Sequence, residues 1–131
     1  MPPTRILLCI DDPAHRRLHE AHVDTSSELA VVGACTADDS AVRAAAARQP
    51  DVIVVDSSRP GLEGAKLVGR LRGAAPHAGV LAVAAAPDRP RSVLARSLSA
   101  DRYLDPDEAE RGLLRVLLEF AREHPGGVVA S

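Results

Sequence analysis

Three carboxylates carry the strongest chemical signal in this 131-residue chain. Asp11 and Asp12 are adjacent and close the apolar run Arg5–Ile10. Asp56 closes another apolar run, Asp51–Val55. If those runs are neighbouring strands, the three acids meet at one sheet edge. Crowded like charges call for a cation or for a raised pKa. An oxygen-only ligand set with open positions suits Mg²⁺, which keeps several waters and takes phosphate as a co-ligand. The alternative is local: Asp11 or Asp12 caps the following helix and Asp56 opens a turn.

Other chemistry-bearing residues are sparser. His15, His19 and His22 fall at i, i+4 and i+7 and could bind Zn²⁺ or sense pH. They also flank the apolar line Ala14, Leu18, Ala21, and no acid or cysteine at clean spacing completes a metal set, so a solvated or half-buried face is the reading preferred. Ser57 and Ser58 read as turn residues. Cys9 and Cys35 sit inside apolar runs and read as a buried, reduced pair without metal or redox-motif spacing. No general base or nucleophile pair stands outside the acidic cluster, so an enzyme is not expected.

These residues need elements to hold them. Apolar runs alternate with helical stretches: Arg5–Ile10, a helix from Pro13 to about Ser26, Leu29–Cys35, a helix capped by Asp38 or Asp39 and ending before Pro50, then Asp51–Val55. After the turn Ser57–Gly64 come a helix from about Ala65 to Arg72, the run Gly79–Ala84, a helix from about Asp88 to Ser99, the short run Asp101–Leu104 and a helix from Pro106 to about Arg122. Five short strands with apolar residues on both faces, alternating with five helices, predict an α/β doubly wound parallel sheet. Such sheets bind ligands beyond the carboxyl ends of their strands. Residues 1–122 read as one domain and 123–131 as a flexible tail. On the last helix, Val116 and Phe120 lie off the stripe Leu114, Leu117, Leu118, Ala121. They mark either a partner surface or a wide buried face.

Composition narrows the function. The formal net charge is −2, and Tyr103 and Phe120 are the only aromatic residues. That argues against a nucleic-acid stacking platform and against direct nucleic-acid binding by this domain. No apolar stretch is long enough to span a membrane, and MPPTRILLCIDD does not read as a signal peptide, so a cytoplasmic location is expected. Lys66 is the only lysine, against 15 arginines.

The adjacent acids after RILLCI, the PDVIVVD run and the segment Asp56-Ser-Ser-Arg-Pro-Gly-Leu-Glu-Gly64 resemble the receiver domain of bacterial two-component response regulators. The resemblance spans about residues 5–121. The stretch VVGACTADDSAVRAAAARQPDVIVVD is most similar to receivers that precede a DNA-binding helix-turn-helix, which implies transcription regulation. No helix-turn-helix is read after residue 122. The resemblance implies the flavodoxin-like strand order 2-1-3-4-5. It implies Asp56 as phosphoryl acceptor and Mg²⁺ held by Asp11, Asp12, Asp56 and the carbonyl of Ser58. It also implies a histidine kinase or downstream regulator as partner, and a homodimer through the fourth helix, fifth strand and fifth helix.

The chain departs from that pattern. Ala84 stands where the family has a Ser or Thr that bonds the phosphoryl oxygen. Arg102 replaces a usual Gly beside the switch aromatic, Tyr103. The family's lysine-bearing loop is missing: Tyr103-Leu104 runs directly into Asp105, a good N-cap, and Pro106. Arg59, in place of the usual Met, is the nearest spare cation in sequence and a possible phosphate contact. These departures predict an atypical receiver acting by protein contacts with impaired phosphorylation readout. A conventional Mg²⁺-dependent switch at Asp56 and a small-ligand-sensing module remain as alternatives.

Overall fold

Alternating apolar runs and amphipathic stretches produce five strands and, among the described residues, four helices. A computed structural model describes residues 2–56, 62–83 and 100–123, with only the backbone for 62–65. The strands are β1 (Thr4–Ile10), β2 (Leu29–Cys35), β3 (Val52–Asp56), β4 (Gly79–Val83) and β5 (Arg102–Leu104). The helices are α1 (Pro13–Asp24), α2 (Asp39–Arg48), α3 (Leu62–Ala74) and α4 (Pro106–Glu123). The helix expected near Asp88–Ser99 falls outside the described residues, as do Ser57, Ser58, Arg59, Ala84 and the tail beyond Glu123.

All neighbouring strands are parallel, in the order β2-β1-β3-β4-β5. Side chains alternate between the two faces of the sheet. Leu7, Cys9, Ile53, Val55 and Ala82 pack with Ala41 and Ala45 of α2 and with Leu67, Val68 and Leu71 of α3. Ile6, Leu8, Ile10, Val52, Val54 and Leu81 pack with Val23 of α1 and with Leu113, Val116, Leu117 and Phe120 of α4. Both faces are therefore covered, and the carboxyl ends of the strands stay open for a site. No described helix is long and apolar enough to cross a membrane.

One irregularity interrupts the β1–β2 ladder. Ile6 pairs with Val31 but Leu7 pairs with Gly33, so Val32 is an extra residue in β2. Gly33 sits close against β1: a Cβ there would lie 2.9 Å from Leu7 Cδ1 and force that side chain to shift.

One expectation is corrected by packing. Val116 and Phe120 do not form a partner surface: they are 5% and 0% exposed, inside the core beneath the sheet. The buried line of α4 is Ala109, Leu113, Val116, Leu117 and Phe120, and Leu114, Leu118 and Ala121 flank it. The stripe at i, i+3, i+4 and i+7 from Leu113 brings the chain's one Phe inside, where its large apolar area yields most. On α1 the line Ala14, Leu18, Ala21 faces solvent; the helix buries His19 and Val23 instead. His15 and His22 are exposed.

The start of α4 follows its sequence. The Glu108 N–H donates to Asp105 Oδ1 at 3.0 Å, and the Ala109 N–H donates to the Asp105 carbonyl at 3.0 Å. Pro106 takes the first helical position, where its missing N–H costs nothing. Asp105→Ala should lower unfolding stability by about 0.5–2 kcal/mol, read by urea denaturation.

Candidate functional site

The acids sit where the strands end. Ile10 pairs with Asp56 across β1 and β3, and the Asp11 N–H donates to the Asp56 carbonyl at 3.1 Å. Asp11 Oδ1 accepts the Ala37 N–H at 2.8 Å, which ties the exit of β1 to the exit of β2. Asp12 caps α1: its Oδ1 accepts the N–H groups of Ala14 at 2.8 Å and His15 at 3.1 Å. The local alternative thus describes Asp12 correctly, although capping through one oxygen does not exhaust a carboxylate.

Asp56 feels the other two acids. Burial pushes the Asp56 carboxyl above the ordinary range, and the charges of Asp11 and Asp12 push the same way. His15 is the one group that favours the ionised form of Asp56 among the described residues. The His15 N–H bond holds Asp12 below the ordinary carboxylate range, helped by the Ala14 N–H and the charges of His15 and Arg16. Among the described residues, no three His, Cys, Asp or Glu side chains converge closely enough to cage a metal. Mg²⁺ does not require such a cage. It is held by one or two carboxylates with waters and phosphate oxygens, and the mutual repulsion at Asp56 is what a cation relieves.

Sequence reasoning missed Arg16. Its Nη1 donates to the Ile10 carbonyl at 2.7 Å, so a guanidinium is folded over the end of β1 beside the acids. The signal was present: Arg16 is four residues beyond the cap Asp12, on the same face of the helix. His15, in the first turn of α1, reads from sequence as a zinc ligand, a pH sensor or part of a solvated face, not as a neighbour of Asp56. The histidines form no metal site among the described residues. The rings of His15 and His19 lie 6.3 Å apart, and burial lowers the His19 pKa, as do the charges of His15 and His22.

Among the described residues, no cation from the far edge of the sheet reaches Asp56. Arg102 pairs with Leu81, two positions short of the Val83–Leu104 end of the ladder, and its Nη1 lies 3.8 Å from Glu119 Oε2. Tyr103 is 9% exposed and packs inward with Ala82 and Ala100. Lys66 is exposed on α3. A cavity of about 680 Å³ lined by Pro3, Glu28, Leu29, Leu118 and Arg122 opens at the amino ends of β1 and β2, away from the acids.

Comparison with known proteins supplies the context. Residues 6–117 match the model of the response regulator receiver domain. The chain is 26% identical over 119 residues to the nitrate/nitrite response regulator protein NarL of Escherichia coli strain K12, covering 91% of this chain and 55% of that protein. It therefore spans about half the length of the curated relatives it matches. The fold superposes on the receiver domain of the response regulator NarL from Mycobacterium tuberculosis with a TM-score of 0.77 and 25% identity, covering 93% and 98% of the two chains. It also superposes on the receiver domain of a sensor histidine kinase from Pseudomonas aeruginosa, solved with a magnesium ion coordinated in the active site cleft. There the TM-score is 0.69 at 23% identity, with 89% and 96% covered.

Proposed function

The chain belongs to the response regulator receiver domain family, and from that premise we propose that it is an atypical receiver that keeps its acidic phosphoryl-acceptor pocket but has a weakened readout. It serves two-component signalling. In this reading residues 1–122 are the receiver unit and 123–131 a tail. Its partners are a histidine kinase and a downstream regulator, with an output in transcription control. Asp11 and Asp12 would hold Mg²⁺ with Asp56 and the Ser58 carbonyl. Bound Mg²⁺ would offset charge on the transferring phosphoryl oxygens. The Asp56 carboxylate attacks phosphorus, and the leaving group departs with the electron pair of its bond to phosphorus.

One observation carries the atypical part. Asp105 alone separates β5 from α4, and it is used as a helix cap. An acid stands where the resemblance implies a loop bearing the phosphate-binding lysine. A carboxylate repels an incoming phosphoryl group, while the charge-assisted bond a lysine would make is the strong kind. Ala84 offers no hydroxyl to draw β4 toward the phosphoryl group.

The test is treatment with a small acyl phosphate or phosphoramidate and Mg²⁺. The expected result is a slow phosphoryl adduct by intact mass, lost completely in Asp56→Asn, with the amide resonances of Leu81–Val83 and Arg102–Leu104 unmoved. If those resonances shift as the adduct forms, the protein is a conventional switch. If no adduct forms at saturating donor, Asp56 is not an acceptor.

A further inference from the structure

Outside the acidic pocket the fold brings two sulfurs together. Cys9 and Cys35 are direct partners across the parallel β1–β2 ladder. Their Sγ atoms lie 3.9 Å apart. The bulge at Val32 keeps this pairing in register. An uninterrupted ladder from Ile6↔Val31 would set Cys9 opposite Ala34 and turn Cys35 to the other face. Adjacent strands lie about 4.7–4.9 Å apart, within the Cα separation that a disulfide spans. Closing to the bond length of about 2.05 Å asks the two side chains to share a movement of roughly 2 Å. β2 is an edge strand, hydrogen-bonded to β1 alone, so it can yield.

The two thiols differ in access. Cys9 is fully buried, whereas Cys35 is partly exposed. Cys35 is also held below the ordinary thiol range, first by its bond with Cys9, with the Ser40 hydroxyl and the Arg16 charge acting in the same direction. Outer and inner sulfur are thus arranged as an attacking and a resolving thiol.

We infer that Cys9 and Cys35 form a peroxide-oxidisable dithiol that closes to an intramolecular disulfide. The Cys35 thiolate attacks one oxygen of hydrogen peroxide. The O–O bond breaks, leaving Cys35 as a sulfenic acid, and the released hydroxide takes the proton that Cys35 shed and becomes water. Cys9 Sγ then attacks Cys35 Sγ; the S–O bond breaks and hydroxide leaves with the Cys9 proton as a second water. Two thiols and one peroxide give one disulfide and two waters. The pair stands two residues before Asp11 on β1 and two before Ala37 beyond β2, and Asp11 and Ala37 already clasp each other. Oxidation therefore locks the two strand exits that carry the Asp11 carboxylate, whatever Asp56 does.

The test exposes the 131-residue chain to hydrogen peroxide, blocks remaining thiols with N-ethylmaleimide and measures intact mass. The expected product is monomeric, about 2 Da lighter, and takes no maleimide; dithiothreitol restores two additions. Its Tm should rise by about 5–10 °C, through the closed loop that the bond imposes on the unfolded chain. In Cys9→Ser the Tm gain disappears and Cys35 accumulates as a dimedone-reactive sulfenic acid. The inference is overturned if two maleimides still add after oxidation, if whole oxygens add without loss of two hydrogens, if the bond joins two chains, or if Tm does not rise.

Discussion

Replacing Phe120 by alanine lowers the unfolding free energy by about 3–5 kcal/mol, the range for removing a buried aromatic ring. Phe120 is 0% exposed and packs in the same core as Leu113, Val116 and Leu117 of α4, beneath the β1, β3 and β4 side chains Ile6, Leu8, Val54 and Leu81. No other Phe or Trp exists in the chain to fill the space. The loss should appear as a lower urea midpoint with an unchanged m-value, because the amount of surface exposed on unfolding barely changes. The same experiment decides between core and interface. A residue on a partner surface would leave the monomer's stability within about 0.5 kcal/mol of wild type.

Asp56→Asn should raise stability at neutral pH. Burial, with the charges of Asp11 and Asp12 behind it, raises the folded-state pKa above the unfolded value despite the opposing pull of His15. A raised pKa means that the folded chain binds its proton more tightly than the unfolded chain does. The stability from that proton is fully present below the unfolded pKa of about 3.9 and is lost as pH rises through the folded value. Above that window the ionised carboxylate is a standing cost, which asparagine removes. The variant's advantage in Tm should be flat near pH 7 and shrink on acidification through the same window. Added Mg²⁺ should raise the wild-type Tm more than that of Asp56→Asn, because only the wild type has the charge to relieve. Equal Tm values at pH 7, or equal responses to Mg²⁺, would remove the acidic cluster as a coupled site.

Much of the framework could be read directly from the chain. Short apolar runs, three of them followed by acids, gave the strands; Asp105 marked the start of α4, while Asp11 or Asp12 and Asp38 or Asp39 bracketed the starts of α1 and α2, because a carboxylate satisfies N–H groups that the first turn leaves open. β2 has the same bounds in sequence and structure, Leu29–Cys35. The contents of each face were harder. Helix α4 carries apolar residues over so wide an arc that two stripes compete, and only packing against the sheet chooses the one with Phe120. Helix α1 buries an imidazole, His19, in preference to Leu18, because side-chain direction there is set by the sheet beneath it. The acidic site was legible as a set of residue types, since strand ends in a parallel sheet share an edge. Arg16 was not, because its reach to the Ile10 carbonyl depends on how a long side chain folds back over the helix start. Cys9 and Cys35 read as a buried pair, but their direct contact was not legible, because strand register is invisible until the offset in β2 is known.

That offset makes the sulfur chemistry a matter of spacing. Deleting Val32 would remove the bulge and leave Leu7 opposite Gly33 and Cys9 opposite Cys35, so the sulfurs would still meet. The intact β2 threaded without its bulge would instead set Ala34 opposite the buried thiol and turn Cys35 to the other face. A count of cysteines would register no difference between the bulged and the unbulged strand, yet only one of them could record an encounter with peroxide. Comparisons among related chains should therefore track the bulge and the length between the first two strands together with the cysteines.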